Sequence, residues 1–91
     1  MGANQTSMEL ADLATGAQAR VVSVSSPDGA THGLGRRLAE LGFLPGEAVR
    51  IVARGVMARE PIAVRIGTGT FALRLFEAAC IRVALEQPKL G

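Results

Sequence analysis

Three leucines spaced for one helical face, followed by two turn signals, constrain this 91-residue chain more than any other stretch. Leu34, Leu38 and Leu41 recur at i, i+4 and i+7, which predicts a short helix with one apolar face. Gly42 directly follows, and helices commonly end on a glycine in the left-handed conformation. The Pro-Gly pair at 45–46 predicts a type II turn, because glycine supplies the positive φ that the turn requires. The pattern then changes to a period of two, which indicates strands.

Alternating apolar and polar residues predict a mostly all-β domain. The first strand precedes the helix and does not alternate cleanly, which predicts a bulge within it. The five predicted strands cover residues 19–25, 47–54, 62–66, 71–75 and 81–86, with a brief turn before the last of them. Five short strands at close spacing, with one short helix between the first two, predict a small barrel. A barrel of this size is filled by its own side chains, so its function must lie on its exterior.

The chain length allows one small domain. Residues 1–7 are small and polar, which predicts a flexible tail, and residues 8–87 form the single domain. Ser7 could cap a short turn in which Leu10 and Leu13 point inward; a loop anchored by the same leucines is the alternative. The edge strands of the sheet could pair two copies, so we expect a monomer or a weak homodimer.

Composition argues against several classes of protein. The net charge is only +2, tryptophan and tyrosine are absent and phenylalanine occurs three times, so few side chains could stack on nucleic-acid bases. No apolar run approaches the length of a membrane span, and the N-terminus lacks the regions of a secretory signal. The single cysteine, Cys80, cannot form an internal disulfide and is typical of a reducing compartment. These features predict a cytoplasmic protein without direct membrane insertion.

Catalytic and metal-binding chemistry has little support in the sequence. The one histidine, His32, shares a loop with Asp28, and no serine or aspartate is placed to complete a catalytic triad with it. Zinc and iron sites generally need three or four ligands, and Cys80 is far away in sequence. We therefore expect neither enzymatic activity nor a bound cofactor, and His32 is the one candidate for a metal ligand.

Exposed positions offer two kinds of contact surface. Five arginines share the outward parity of the strands, namely Arg50, Arg54, Arg65, Arg74 and Arg82. They form either an ordinary solvated exterior or a basic face for an acidic partner, whose carboxylates arginine binds with forked hydrogen bonds. Leu44, Val56 and Met57 lie in loops, where apolar residues either pack locally or mark a contact surface.

Five motifs follow one another in order between residues 10 and 83. They are Leu10-x-x-Leu13, Arg36-Arg-Leu-x-x-Leu-Gly-Phe-x-Pro-Gly46, Pro61-Ile-x-Val-x-Ile, Ala72-Leu-Arg-x-x-Glu-Ala78 and Ile81-x-Val83. Together they resemble FeoA, the family of small bacterial ferrous iron transport proteins, and the second motif is the most specific. The chain departs from the pattern of many members between Val56 and Glu60, and at Phe76, where a polar residue is common.

The resemblance implies an SH3-like barrel and an accessory role in ferrous iron transport. Family members act with FeoB, a membrane permease that carries a cytosolic G-domain, which they are thought to bind and regulate; the family also implies an association with transition metals. On this interpretation the partner contacts are Arg36, Arg37, Leu44 and Met57. Two other classes stay open: an SH3-like regulatory module of a metal-responsive transcription system, and a small nucleic-acid-binding barrel.

Overall fold

The fold is a six-stranded antiparallel sheet around one apolar core. The computed structural model describes residues 7–25, 33–57 and 60–86. Within these ranges the strands are β1 (Ser7–Glu9), β2 (Gln18–Val24), β3 (Ala48–Arg54), β4 (Ile62–Ile66), β5 (Gly69–Leu73) and β6 (Ile81–Leu85). Their order in the sheet is β1-β6-β2-β3-β4-β5, so β1 and β5 form its two edges.

One strand, β1, is additional to the five that the sequence predicts. It pairs with β6, with Ser7 opposite Ala84. Ser7 therefore belongs to a strand and does not cap the turn that follows. That turn is a single 3₁₀ turn beginning at Leu10, and both Leu10 and Leu13 are buried, as the sequence predicts. Residues 1–6, the rest of the predicted tail, lie outside the described ranges.

Helix α1 (Leu34–Leu41) has the limits that the leucine spacing predicts. Leu34 and Leu38 are buried, because they occupy the face that packs on the sheet. The helix ends at Gly42, whose φ of 117° confirms the left-handed position predicted for it. No helix in the described ranges combines the length and the hydropathy needed to cross a membrane.

The buried side chains of α1, the 3₁₀ turn and strands β2 to β6 form one continuous cluster. Its largest fully buried members are Phe43, Leu10, Leu13, Leu38, Ile51, Ile62, Ile81, Val64 and Val83. Among the described residues no charged or polar side chain is buried in this cluster. The core therefore stabilises the fold by apolar burial alone, with each large side chain contributing roughly 1.5–3 kcal/mol.

Two bulges change which side chains point into the core. The register of β2 against β6 shifts between Val21 and Ser23, which confirms the bulge predicted for this strand. The register of β3 against β4 shifts between Ile51 and Ala53. Side chains beyond this second bulge exchange faces, so Ala53 is exposed and Arg54 is half-buried. Strict alternation predicts the opposite for both residues and is wrong here.

The strand predicted over 71–75 ends at Leu73, because Leu75 begins a second helix. Helix α2 (Leu75–Ala78) is one turn long and replaces the simple turn expected before the last strand. The backbone N–H of Arg74 donates to Oε1 of Glu77 at 2.8 Å, which closes the start of the helix. The N–H of Leu75 donates to Oε2 of Glu60 at 2.6 Å. Glu60, in the segment before β4, is therefore hydrogen-bonded to α2.

Candidate partner-binding surfaces

Helix α1 carries the two predicted arginine contacts on its solvent face. Arg36 and Arg37 are both exposed, while Leu38 next to them is buried. Nε of Arg36 lies 3.8 Å from Oε2 of Glu40, one helical turn further on. A pair this exposed restrains its side chains only weakly, so both guanidinium groups are available to a partner.

The turn after α1 presents Leu44 to solvent. The N–H of Glu47 donates to the carbonyl of Leu44 at 3.0 Å, and Gly46 has a φ of 92°, which agrees with the type II turn predicted there. The N–H of Gly46 also donates to the carbonyl of Val21 at 2.8 Å, which fixes the turn to the sheet. Leu44 is 47% exposed on this fixed backbone.

The loop after β3 exposes two further apolar side chains, and a backbone hydrogen bond joins the two ends of this loop. Met57 is 80% exposed and Val56 is 97% exposed. The N–H of Gly55 donates to the carbonyl of Pro61 at 2.9 Å, which closes the loop. A Cβ atom on Gly55 would lie 1.8 Å from the carbonyl oxygen of Glu60, so only glycine fits this backbone.

The four predicted contacts do not form one surface. Leu44 precedes β3 and Met57 follows it, so the two residues lie beyond opposite ends of a seven-residue strand. At ~3.3 Å per residue the strand separates them by roughly 20 Å. Leu44 follows α1 directly, after Gly42 and Phe43. Met57 instead lies near Glu60, whose side chain is hydrogen-bonded to α2. A partner would have to span the strand to touch both.

An apolar groove lies between the turn at Leu44 and the hairpin of β4 and β5. Its volume is about 410 Å³, and Leu41, Ile66 and Phe71 are among the apolar side chains that line it. The ring of Phe71 packs against the buried ring of Phe43, with centroids 6.5 Å apart and planes tilted by 58°. This packing holds Phe71 in place as a wall of the groove.

A second groove, of about 290 Å³, crosses β3 and β4 and is called here the basic groove. Arg50 and Arg65 line it, together with Gln18 and Glu47. Arg50 lies directly opposite Arg65 in the β3–β4 pairing. Both grooves include Glu47 and Gly67 in their walls, so they adjoin each other.

The arginines predicted to share one outward face play different roles. Arg54 is not outward: its Nη2 donates to the carbonyls of Ala11 at 2.9 Å and Leu13 at 2.7 Å, across the 3₁₀ turn. Arg74 pairs with Glu60 at 3.4 Å, and Arg82 donates to the carbonyl of Ser7 at 3.1 Å. These three arginines therefore hold segments of the fold together.

Cys80 is a buried thiol at the end of α2. Its Sγ lies 3.3 Å from the carbonyl of Phe76, to which the thiol donates. Burial raises the pKa of the thiol above its ordinary value, and the negative charges of Glu9 and Glu77 raise it further. The neutral thiol is therefore the stable form, and it is a poor nucleophile and metal ligand.

The described residues contain no group of three His, Cys, Asp or Glu side chains that could hold a metal ion. The loop with Asp28 and His32 lies outside the described ranges, so His32 stays a sequence-based candidate only.

Sequence reasoning missed the basic groove. Alternation places Arg50 and Arg65 on the outward face of two strands, but it does not say which residues of those strands are opposite each other. That register follows from the length of the connection between β3 and β4 and from the bulge in β3, neither of which the alternation of the two strands shows. The pairing of two positive charges is therefore visible only in the folded sheet.

The fold and its surfaces define a class of protein: a small SH3-like β module with an apolar, filled core and its binding features on the exterior. The FeoA domain model matches residues 8–85, which is most of the chain. The chain belongs to the FeoA family, as its motifs predict.

Solved structures agree with this assignment. The FeoA protein of Stenotrophomonas maltophilia is 43% identical, covers 84% of this chain and 88% of its own length, and has a TM-score of 0.74. It was solved with zinc and is described as a prokaryotic SH3 domain protein, considered as an activating factor of ferrous iron transport. Iron(II) transport protein A of Clostridium thermocellum is 33% identical, with a TM-score of 0.72, over 86% of this chain and 45% of that one.

A manganese-dependent transcriptional repressor shares the fold alone, at 24% identity and a TM-score of 0.76, over 92% of this chain and 44% of the repressor. No curated protein matches the chain at a significant level. The predicted SH3-like fold and the predicted family are confirmed.

Proposed function

We propose that this protein is a non-catalytic, cytoplasmic accessory component of ferrous iron uptake, which binds and regulates the membrane permease FeoB. Family membership supports the iron-transport role, and the exposed apolar side chains of Leu44, Val56 and Met57 support a protein partner. Full burial of an exposed side chain of this size contributes roughly 1.5–3 kcal/mol. Val56 and Met57 leave most of that free energy unrealised in the isolated domain, and the half-exposed Leu44 leaves about half of it. A partner that covers them would recover part of that free energy.

Regulation follows if the domain binds one state of the permease more tightly than another. A ligand shifts a conformational equilibrium only by its difference in affinity for the two states. The G-domain of FeoB offers two such states, one with bound GTP and one with bound GDP. The accessory domain would then change transport by favouring one nucleotide state, without chemistry of its own.

The contact residues are tested by co-purification with FeoB from membrane extract. Because Leu44 and Met57 lie beyond opposite ends of β3, Leu44→Asp and Met57→Asp are tested one at a time. Leu85→Asp is the matched control, since Leu85 is also 47% exposed but lies on β6. We expect Leu44→Asp or Met57→Asp, or both, to reduce the recovered permease at least tenfold, and the control to leave it unchanged. Unchanged recovery of the permease with both variants would refute Leu44 and Met57 as contact residues.

The regulatory step is tested in the same extract with GTP and GDP compared. Retention of the permease that differs between the two nucleotides would support regulation through the G-domain. Equal retention would show that the domain binds without sensing the nucleotide, which would contradict the proposed mechanism while leaving the partner intact.

A further inference from the structure

Two like charges face each other across the neighbouring strands β3 and β4. Arg50 of β3 and Arg65 of β4 are directly opposite, and both side chains are exposed. Side chains at such positions have Cβ atoms about 5 Å apart, and like charges placed there destabilise the sheet. The fold therefore keeps an arrangement that its own stability disfavours.

The other arginines in or next to the strands of the described ranges are paired or hydrogen-bonded within the fold. Arg20 pairs with Glu86 at 3.2 Å, Arg74 pairs with Glu60 at 3.4 Å, and Arg82 is bound by Ser7. Among the described residues neither Arg50 nor Arg65 forms an ion pair or a side-chain hydrogen bond. Within the described part of the chain, no side chain compensates their positive charges.

The surroundings of this pair form a groove with further hydrogen-bonding groups. Gln18 lies opposite Arg50 on one side, and Thr70 lies opposite Arg65 on the other, so a polar row crosses four strands. The basic groove follows part of this row and adjoins the apolar groove at Gly67. The surface therefore places two free guanidinium groups beside the apolar groove.

We propose that the basic groove binds an acidic segment of a protein partner, with two carboxylates held by Arg50 and Arg65. In an extended peptide, residues i and i+2 point to the same side about 7 Å apart, which two flexible arginine side chains can span. Each guanidinium can bind a carboxylate through two parallel hydrogen bonds. An apolar side chain further along the same peptide would enter the apolar groove.

The groove is less suited to nucleic acid than to an acidic peptide. Glu47 lies in its wall and would repel a continuous phosphate backbone. Of the three phenylalanines, Phe43 is buried, Phe71 is half-buried, and the exposed Phe76 lines neither groove, so none offers a free face for base stacking there. An acidic peptide avoids both problems, because its charge is confined to particular side chains.

This inference goes beyond the proposed function and does not depend on FeoB being the partner. The test uses the whole chain and the synthetic peptide Gly-Glu-Ser-Glu-Ser-Leu-Gly, titrated while the backbone amide resonances are followed by NMR. The matched peptide carries Gln in place of both Glu. We expect the acidic peptide to shift the amide resonances of β3, β4 and β5 around the two arginines. The Gln peptide should bind about fivefold more weakly.

The variant Arg50→Gln/Arg65→Gln should weaken binding of the acidic peptide by a similar factor. Its matched control is Arg74→Gln/Arg82→Gln, which removes the same charge from positions that do not line the basic groove and should leave the affinity unchanged. The melting temperature shows that each variant is folded. Equal losses in the two variants would mean attraction by net charge only and would overturn the proposal, as would the absence of localised shifts.

A thymidine oligonucleotide of matched charge provides the competing class of ligand. We expect it to bind more weakly than the peptide at about 150 mM salt, because loose phosphate attraction fades there. Tighter binding of the oligonucleotide at the same amides would overturn the proposal in favour of a nucleic-acid site.

Discussion

Arg54 shows how one inserted residue can change the role of a side chain. Without the bulge between Ile51 and Ala53, its guanidinium would point into solvent with those of Arg50 and Arg65. The bulge turns it toward the 3₁₀ turn, where it binds the carbonyls of Ala11 and Leu13. An arginine that sequence alternation assigns to a contact surface instead joins β3 to the N-terminal segment.

We expect Arg54→Met to lower the free energy of unfolding by about 2–3 kcal/mol. Methionine keeps much of the side-chain volume but removes two hydrogen bonds from a charged donor, each worth roughly 1.5–3 kcal/mol. Because Arg54 is only half-buried, water partly replaces this donor, and the expected total is at the low end of their sum. Urea unfolding measures the change. Arg50→Met is the control and should cost nothing, because Arg50 is exposed and faces a like charge. Equal stability of the Arg54 variant would contradict a structural role.

Cys80 gives the stability of the protein a dependence on alkaline pH. Its pKa in the folded state lies above the ordinary value of 9.0, because burial and two nearby carboxylates disfavour the thiolate. The unfolded chain therefore loses this proton first as the pH rises. The stabilisation is present in full below pH 9.0 and is lost as the pH rises through the folded-state pKa.

We expect the free energy of unfolding to fall more steeply above pH 9.0 in the native chain than in Cys80→Ala. Denaturant titrations at a series of pH values measure both curves. The offset from the smaller side chain is constant with pH and does not affect the slope. Parallel curves would mean that the thiol is no harder to ionise in the folded protein than in the unfolded one.

At the scale of elements, the side-chain pairs between β3 and β4 determine which charges the exposed face of the sheet offers to a partner. The direct opposition of Arg50 and Arg65 costs stability but leaves two free positive charges in one groove. Helix α1 differs in that Arg36 lies one turn from an opposite charge, Glu40, although their 3.8 Å separation and exposure make the pair weak.

We expect Arg65→Glu to raise the free energy of unfolding by about 0.5 kcal/mol, because it replaces a repulsive cross-strand pair with an attractive one. Thermal unfolding at low salt measures the gain, which should shrink as salt screens the charges. Arg65→Gln is the control: it removes the repulsion without adding an attractive pair, so it should give a smaller gain. A loss of stability in Arg65→Glu would show that the two arginines do not repel each other in the folded protein.

At the scale of the whole molecule, the two ends of the described chain close the fold together. Strand β1 pairs with β6, and Met8 packs against the core from the edge of the sheet. Arg82 adds a hydrogen bond to the carbonyl of Ser7. The last strand is therefore covered on both sides, by β1 and by β2.

We expect a chain that begins at Leu10 to have a free energy of unfolding about 2 kcal/mol lower, since it loses the pairing of β1 and the partial burial of Met8. Hydrogen exchange locates the effect: the amides of β6 that face β1 should exchange faster than before, relative to those of β4. Uniform protection in β6 and β4, with unchanged stability, would show that β1 adds nothing to the fold.

Local patterns in the sequence were sufficient for the helix and for most of the core. The leucine spacing defined both ends of α1, Gly42 and the Pro-Gly pair defined the turns, and alternation identified Ile62, Val64 and Ile66 as buried. These features depend on residues within a few positions of each other, which is why they can be read before the chain is folded. The family motifs lie in the same stretches, so the family was also apparent from the sequence.

Only the tertiary structure decided which strands are neighbours, where the register shifts and what faces what across the sheet. The pairing of β1 with β6, the inward turn of Arg54 and the opposition of Arg50 and Arg65 all join segments distant in sequence. Their geometry follows from how the whole core packs, because a shift of one residue moves every later side chain to the other face. For the same reason, the sequence could indicate exposed contact residues but not that Arg50 and Arg65 share one groove with Gln18 and Glu47.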